Sequence, residues 1–261
     1  MPMESLAAER KALLFSAGGI RLALRLSHVR EIISVAEDAP EVNFRGAPVP
    51  GLLVAMALGL PARPARFALV TEEIPGLALR VDNVHGIADL ALAEVFKLPG
   101  RTFLPQPSPF QGAILFEGAI ALELGVSTLG WAPIEPAGEL SGPPPEMDFG
   151  LGREFLFARG KKVFAVPIQL LAQVVDRPVV FPVPLTPSAH RGLIYHGRAI
   201  HPVFDLSVLY GEPPAEGGAN ALLIEAGGTA IAALADRVLP AGGGEAQDVC
   251  RPSWDLLFPG A

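Results

Sequence analysis

The chain has a single cysteine, Cys250, so no internal disulfide can brace it, and a reducing compartment is the natural expectation. It has no long apolar run. The longest, 49–60 (VPGLLVAMALGL), falls well short of the roughly 20 residues that a spanning helix needs, and it carries a proline and two glycines. The start, MPMESLAAERK, lacks the apolar core of a secretion signal. Basic residues form no run or stripe, and the net charge of −7 argues against nucleic acid or anionic lipid as a partner. These absences together lead to the expectation of a cytoplasmic protein.

Enzyme signatures are equally scarce. There is no G-x-S-x-G elbow, Cys250 has no neighbouring histidine, and Gly242-Gly243-Gly244 is followed by Glu245 rather than by G-K-S/T. His190, His196 and His201 are the one local group resembling metal ligands. Their spacing is not a zinc pattern and no cysteine pair completes it, so solvated or hairpin-capping roles are expected, with no metal and no cofactor.

What the chain does have is glycine (28) and proline (27) in excess, set in a composition that is half hydrophobic. The apolar half excludes disorder, and many short elements joined by many turns is the reading that remains. Residues 133–150 (PIEPAGELSGPPPEMDFG) hold five prolines, three glycines and four acids, which reads as an extended acidic linker. It separates two flanks, 9–132 and 151–261.

The flanks repeat one pattern. Residues 13–33 (LLFSAGGIRLALRLSHVREII) align without a gap on 155–175, with Phe15 against Phe157. Each opens with a glycine turn and an alternating strand, Leu22, Leu24, Leu26 or Phe164, Val166, Ile168, whose period of two marks a half-buried hairpin strand. Leu26, Val29, Ile33 and Ile168, Leu171, Val175 then step by three and four, which predicts a short helical turn. Further on, 192–211 reads as a hairpin turning at His196-Gly197-Arg198, and both flanks resume with an apolar strand ending in an aspartate, Asp82 or Asp236. Those two carboxylates are read either as strand-end acids or as acceptors of backbone N–H bonds at a turn. No second acid, His or Lys recurs beside both, which favours the turn role over acid–base chemistry.

This order of motifs resembles the CheW-like domain, the module that couples receptors and kinase in bacterial chemosensory systems. Val29-Arg30-Glu31-Ile32-Ile33, Asn43-Phe44-Arg45-Gly46 and Val81-Asp82-Asn83-Val84 carry the resemblance in the first copy. Pro202-Val203-Phe204-Asp205-Leu206 with Gly211, then Asp236-Arg237-Val238, carry it in the second. The resemblance implies an all-β fold of two tandem domains, each of two small five-stranded SH3-like barrels with a few short helices. It implies a non-catalytic adaptor whose partners are the regulatory domain of a CheA-type histidine kinase and the cytoplasmic tips of chemoreceptors, with recruitment to membrane-associated receptor arrays. Arg45, Asn43, Asp82, His196, Asp205 and Asp236 are the partner-binding residues it suggests.

Neither copy carries the full set. Leu53 falls where the second copy has Asp205, and His196 where the first has Arg45. A regulatory or structural module of a chemosensory-like pathway outside motility therefore stays open, as does a small-molecule-binding β-barrel. The second copy also reads as lacking the closing hairpin, 111–124 in the first, which would leave a sheet edge to be covered by Trp254, Leu256, Leu257 and Phe258 or by self-association with another chain.

Overall fold

The computed structural model describes residues 10–36, 41–72, 77–130, 132–140, 142–143, 146, 153–215, 217–226, 229–239 and 249–254. The chain divides into two compact units. Unit 1 holds Met1–Leu98, Leu104–Pro136 and Val183–Leu185, and unit 2 holds Pro99–Phe103, Ala137–Pro182 and Thr186–Ala261.

Unit 1 contains β1 (Lys11–Ala17), β2 (Ile20–Arg25), β3 (Val29–Ser34), β4 (Glu41–Phe44), β5 (Ala47–Leu53), α1 (Val54–Ala57), β6 (Phe67–Thr71), β7 (Ala78–Val81), β8 (Asn83–Asp89), β9 (Glu94–Phe96), β10 (Phe110–Phe116) and β11 (Ala119–Leu124). They form a six-stranded sheet, β8-β1-β2-β11-β10-β9, and a five-stranded sheet, β3-β6-β7-β5-β4. Unit 2 contains β12 (Glu154–Arg159), β13 (Lys162–Pro167), β14 (Leu171–Asp176), β15 (His190–His196), β16 (Ala199–Phe204), α2 (Leu206–Leu209), β17 (Asn220–Ala226), β18 (Thr229–Ala235), β19 (Arg237–Leu239) and β20 (Val249–Cys250). Its sheets are β19-β12-β13-β20 and β14-β17-β18-β16-β15. The fold is all-β, as expected, with six and five strands in unit 1 and four and five in unit 2.

Glycine-bearing turns set the registers. Gly18-Gly19, Arg45-Gly46, Glu117-Gly118 and Gly197-Arg198 each carry two consecutive positive φ angles, as the two-residue turns that match strand twist require. Leu22, Leu24, Phe164 and Val166 are fully buried, as their alternation predicts, but Ile168 is 49% exposed. It lies one residue past β13, where the pleat no longer aims it inward.

The predicted helical turns shrink in the same places. Leu26–His28 is one 3-10 turn, and Val29–Ser34 and Leu171–Asp176 are strands, because paired β-branched residues (Ile32-Ile33, Val174-Val175) pack better on a pleated surface than around a helix.

The acidic stretch departs from a free connector. Leu140 packs against the core of unit 2, the Ser188 N–H and hydroxyl donate to Glu139 (3.0 and 2.7 Å), and Glu146 forms an antiparallel bridge with Pro252. Proline-rich backbone still supplies carbonyls and apolar surface, and unit 2 uses both.

The missing-hairpin expectation also changes. Val249 and Cys250 pair in parallel with Val163 and Phe164, just as Leu122 and Glu123 pair with Leu22 and Ala23 in unit 1. The counterpart of β11 is therefore present as β20. Two residues between glycines and a proline are too few to leave an alternating pattern. Counterparts of β9 and β10 are absent among the described residues. Trp254 is fully buried beside this edge, its indole N–H donating to the Ala165 carbonyl of β13 at 3.2 Å. Leu256, Leu257 and Phe258 lie outside the described residues.

Candidate functional site

The two sequence motifs of unit 1 meet in space. β3 contributes Arg30 and Glu31, and the β4–β5 turn contributes Asn43, Phe44 and Arg45. The turn is held by Asn43, whose Oδ1 accepts the Gly46 N–H at 3.0 Å. Arg45 takes the left-handed conformation there, φ 52°, an uncommon state for a residue with a Cβ. Its guanidinium donates to Glu31 Oε2 at 3.0 and 3.2 Å and lies 5.1 Å from the centre of the Phe44 ring. Arg30 approaches the same ring at 5.2 Å.

β3 and β4 are the outer strands of their sheet, so the Glu31–Arg45 contact shows that the sheet curls until its edges meet. Phe44 packs on its inner side against the core that includes Val42, Val49 and Val70. Arg45 is 65% exposed, which makes the ion pair worth no more than about 1 kcal/mol of stability. A surface this charged at so little gain in stability is suited to contact with another molecule. Half-buried Phe44, flanked by two guanidiniums, presents a planar apolar and cationic face.

Unit 2 repeats the geometry with different chemistry. Gln173 stands where Glu31 does, and its Oε1 lies 2.9 Å from His196 Nε2. The strand pairs Phe44↔Ala47 and His196↔Ala199 correct the sequence alignment here: His196 is the counterpart of Phe44, and Gly197 that of Arg45. A Gln–His contact replaces the Glu–Arg ion pair, and no arginine lies over a ring at this turn among the described residues. His201 Nε2 contacts the His196 carbonyl at 3.2 Å, and His190 is buried elsewhere. No group of three or more His, Cys, Asp or Glu side chains that could hold a metal occurs among the described residues.

Asp205 needs the largest correction. Expected as a partner contact, it is fully buried at the start of α2, where it accepts from the Ser207 N–H and hydroxyl (3.3 and 2.7 Å) and from Arg159 (3.0 and 2.6 Å). Arg159 is buried too, and donates also to Asp236 at 2.7 Å and to the Ala215 carbonyl at 2.8 Å. Burial pushes the Asp205 carboxyl up, but bonds from Arg159 and Ser207 outweigh it and hold the group below its ordinary value. Burial likewise lowers Arg159, and Asp205 and Asp236 more than restore it, so the guanidinium stays charged.

In unit 1 the matching positions are Ala17, the last residue of β1, and Leu53, the residue before α1, both apolar. Asp82 and Asp236 play the turn role: Asp82 accepts the Gly19 N–H at 3.1 Å and Asp236 the Gly160 N–H at 2.8 Å. The sequence reading overlooked Arg159, although an arginine ending an inward-alternating strand, paired with an Asp where its copy has Leu, was a signal on both sides of the bond.

His190 is the other buried polar group. It is 5% exposed, packs edge-on against Phe204 with ring centres 5.2 Å apart, and has no hydrogen-bond partner for either ring nitrogen among the described residues. Burial pushes its pKa down to about 3, so the ring is neutral.

The geometry thus defines an all-β module in two versions, one with Arg45 exposed at its turn and one with the Arg159–Asp205 pair buried at the matching core positions. Residues 154–241, about a third of the chain, match the family model described as the CheW-like domain. Among solved structures, the scaffolding protein TtCheW from Thermoanaerobacter tengcongensis is similar at 18% identity, with 45% of this chain and 90% of that chain covered and a TM-score of 0.37. A search of the curated proteins finds no match. No helix among the described residues is long and apolar enough to cross a membrane.

Proposed function

We propose that the chain is a non-catalytic adaptor of a chemosensory signalling array, in which two CheW-like modules on one chain join chemoreceptor tips to a CheA-type histidine kinase. The family match over 154–241 supports the coupling role, and the strand-for-strand correspondence of the two units supports reading unit 1 as a second module of the same kind. The observation that carries the reading is the exposed Arg30–Glu31–Phe44–Arg45 cluster, assembled from the two motifs by which the first copy resembles the family.

The mechanism is geometric. Folded modules in one chain hold two partners at high effective concentration, so each partner's arrival favours the other's. Arg45 supplies a rigid fork for a partner carboxylate, Arg30 a second charge, and Phe44 the apolar contact between them. In unit 2 the Gln173–His196 pair offers no such fork, and that favours a different partner for this module.

The test is native co-purification of the tagged chain from its own cells, with mass spectrometry of what stays bound at moderate salt. Recovery of a histidine kinase or of chemoreceptors, weakened by Arg45→Ala, is expected. Recovery of neither from cells that express both would overturn the proposal.

A further inference from the structure

Unit 1 has an open cavity of about 440 Å³ between β1, β2, β8 and the β10–β11 hairpin. That volume lies within the range of small-molecule sites. Its accessible apolar lining comes from Leu14, Phe116 and Ile87, the last of them 53% exposed, over fully buried Phe15 and Leu22. Three ionisable side chains, Arg21, His85 and Glu117, complete the wall. Among the described residues none of the three is engaged in an ion pair or a side-chain hydrogen bond, and the adaptor reading gives them no task.

The backbone at this place is irregular in a specific way. Leu14 pairs with Gly86 and Phe15 with Val84, so His85 is an extra residue inserted into β8. Such bulges re-aim a side chain and are enriched beside functional sites. Gly86 holds φ +143°, a conformation closed to most residues with a Cβ, although a Cβ there would meet nothing within 4 Å. Glycine is needed for the shape of the bulge and not for space. Across the cavity Glu117 sits at φ 51° in the hairpin turn, again a strained choice for a side chain that only needed to be soluble. The walls bring these groups around an apolar floor, the arrangement by which ligand sites fix orientation.

We propose that this cavity binds a small amphipathic molecule with a flat apolar body and one carboxylate. Arg21 forks onto the carboxylate, His85 adds a donor, and the rings lie against Leu14, Phe116 and Ile87. Glu117 sets the other limit: it repels a second anionic group and accepts an N–H from the ligand's far side. Unit 2 has no described counterpart of the β10–β11 turn, so the site is a property of unit 1.

Indole-3-acetate, which carries the ring, the N–H and the single carboxylate, is the probe, titrated into the full chain with methyl NMR detection. Saturable shifts confined to the Leu14, Ile87 and Ala119 methyls are expected. Arg21→Ala should weaken binding about tenfold, the loss of one charge-assisted contact, and 3-methylindole, which lacks the carboxylate, should bind correspondingly more weakly. Ala119→Phe, which fills the cavity from its wall and leaves Arg21 in place, should abolish the shifts while the methyl spectrum of unit 2 stays unchanged. Shifts that fail to saturate up to the probe's solubility, that fall on unit 2, or that survive Ala119→Phe would overturn the proposal.

Discussion

Units 1 and 2 share most of their strands and pairings, yet they treat one pair of matching positions in opposite ways. Unit 1 has buried Ala17 and half-buried Leu53 there, and it leaves Arg30 and Arg45 on the surface around Phe44. Unit 2 puts Arg159 and Asp205 at those two core positions and keeps a neutral Gln173–His196 contact at the surface. Hydrophobic pattern and turn chemistry define the fold, and the fold accepts either solution as long as each buried charge is matched. The two substitutions are tied to one another: an arginine at one position without an aspartate at the other would leave a buried guanidinium with only the half-exposed Asp236 as its counter-charge.

The sharpest way to break this comparison is Asp205→Ala, which strands the Arg159 guanidinium with only Asp236 and a carbonyl. The expected loss is about 3–5 kcal/mol, read by chemical denaturation. The double variant Arg159→Ala with Asp205→Leu, which installs the residues of unit 1, should recover most of it. A double variant no more stable than Asp205→Ala would mean that the two cores are not interchangeable.

Trp254→Ala comes next, with about 3 kcal/mol lost as the cover on the β13 edge is emptied and the Ala165 carbonyl loses its donor. Unit 1, which covers the same edge with β11 and β10, should be unaffected, and domain-resolved hydrogen exchange separates the two.

A third prediction concerns pH. His190 is held neutral, with its pKa down to about 3 in the folded chain against an ordinary 6.5. The unfolded chain takes up a proton that the folded one refuses, so stability is full above pH 6.5 and falls as the pH drops toward 3. At pH 5 the deficit is about 2 kcal/mol, from 1.5 units at 1.36 kcal/mol each. Asp205 is also held below its ordinary value, and its contribution is lost only at lower pH, below the usual carboxylate range, so the two windows are distinct. Urea midpoints at pH 7.5 and pH 5 should differ for the parent and much less for His190→Leu. An equal acid sensitivity in that variant would assign the effect to other groups.

The smallest stability effect is expected at the most functional position. Arg45→Ala should move Tm by no more than a degree or two, because the Glu31 pair it removes is solvated. A large drop would make the cluster a structural clasp.

Much of this was legible in the sequence. The alternation at Leu22-Leu24 and Phe164-Val166, the glycine turns and the placing of Leu53 against Asp205 all reappear in the registers. Local pattern carries such features because a strand with a buried face must alternate and a two-residue turn must tolerate positive φ.

What escaped was set by tertiary pairing. Glu31 and Arg45 are joined only because a sheet curls, and no spacing announces that. The Arg159 network spans the ends of β12, β16 and β18 and a loop carbonyl. β20 exists because β13 offers it an edge, and Leu140 is buried because unit 2 has apolar surface to offer it. Asp205 was assigned to the surface because a conserved-looking acid at a strand end resembles a docking residue as readily as a helix cap.

The central claim, that docking chemistry lies in unit 1 and not at the matching place in unit 2, is tested most directly by comparing Arg45→Ala with His196→Ala for capture of the kinase or receptor recovered by co-purification. The account predicts clear loss with Arg45→Ala and near-normal capture with His196→Ala, both variants melting with the parent. Loss of the same partner to the same extent in both, or only with His196→Ala, would contradict it.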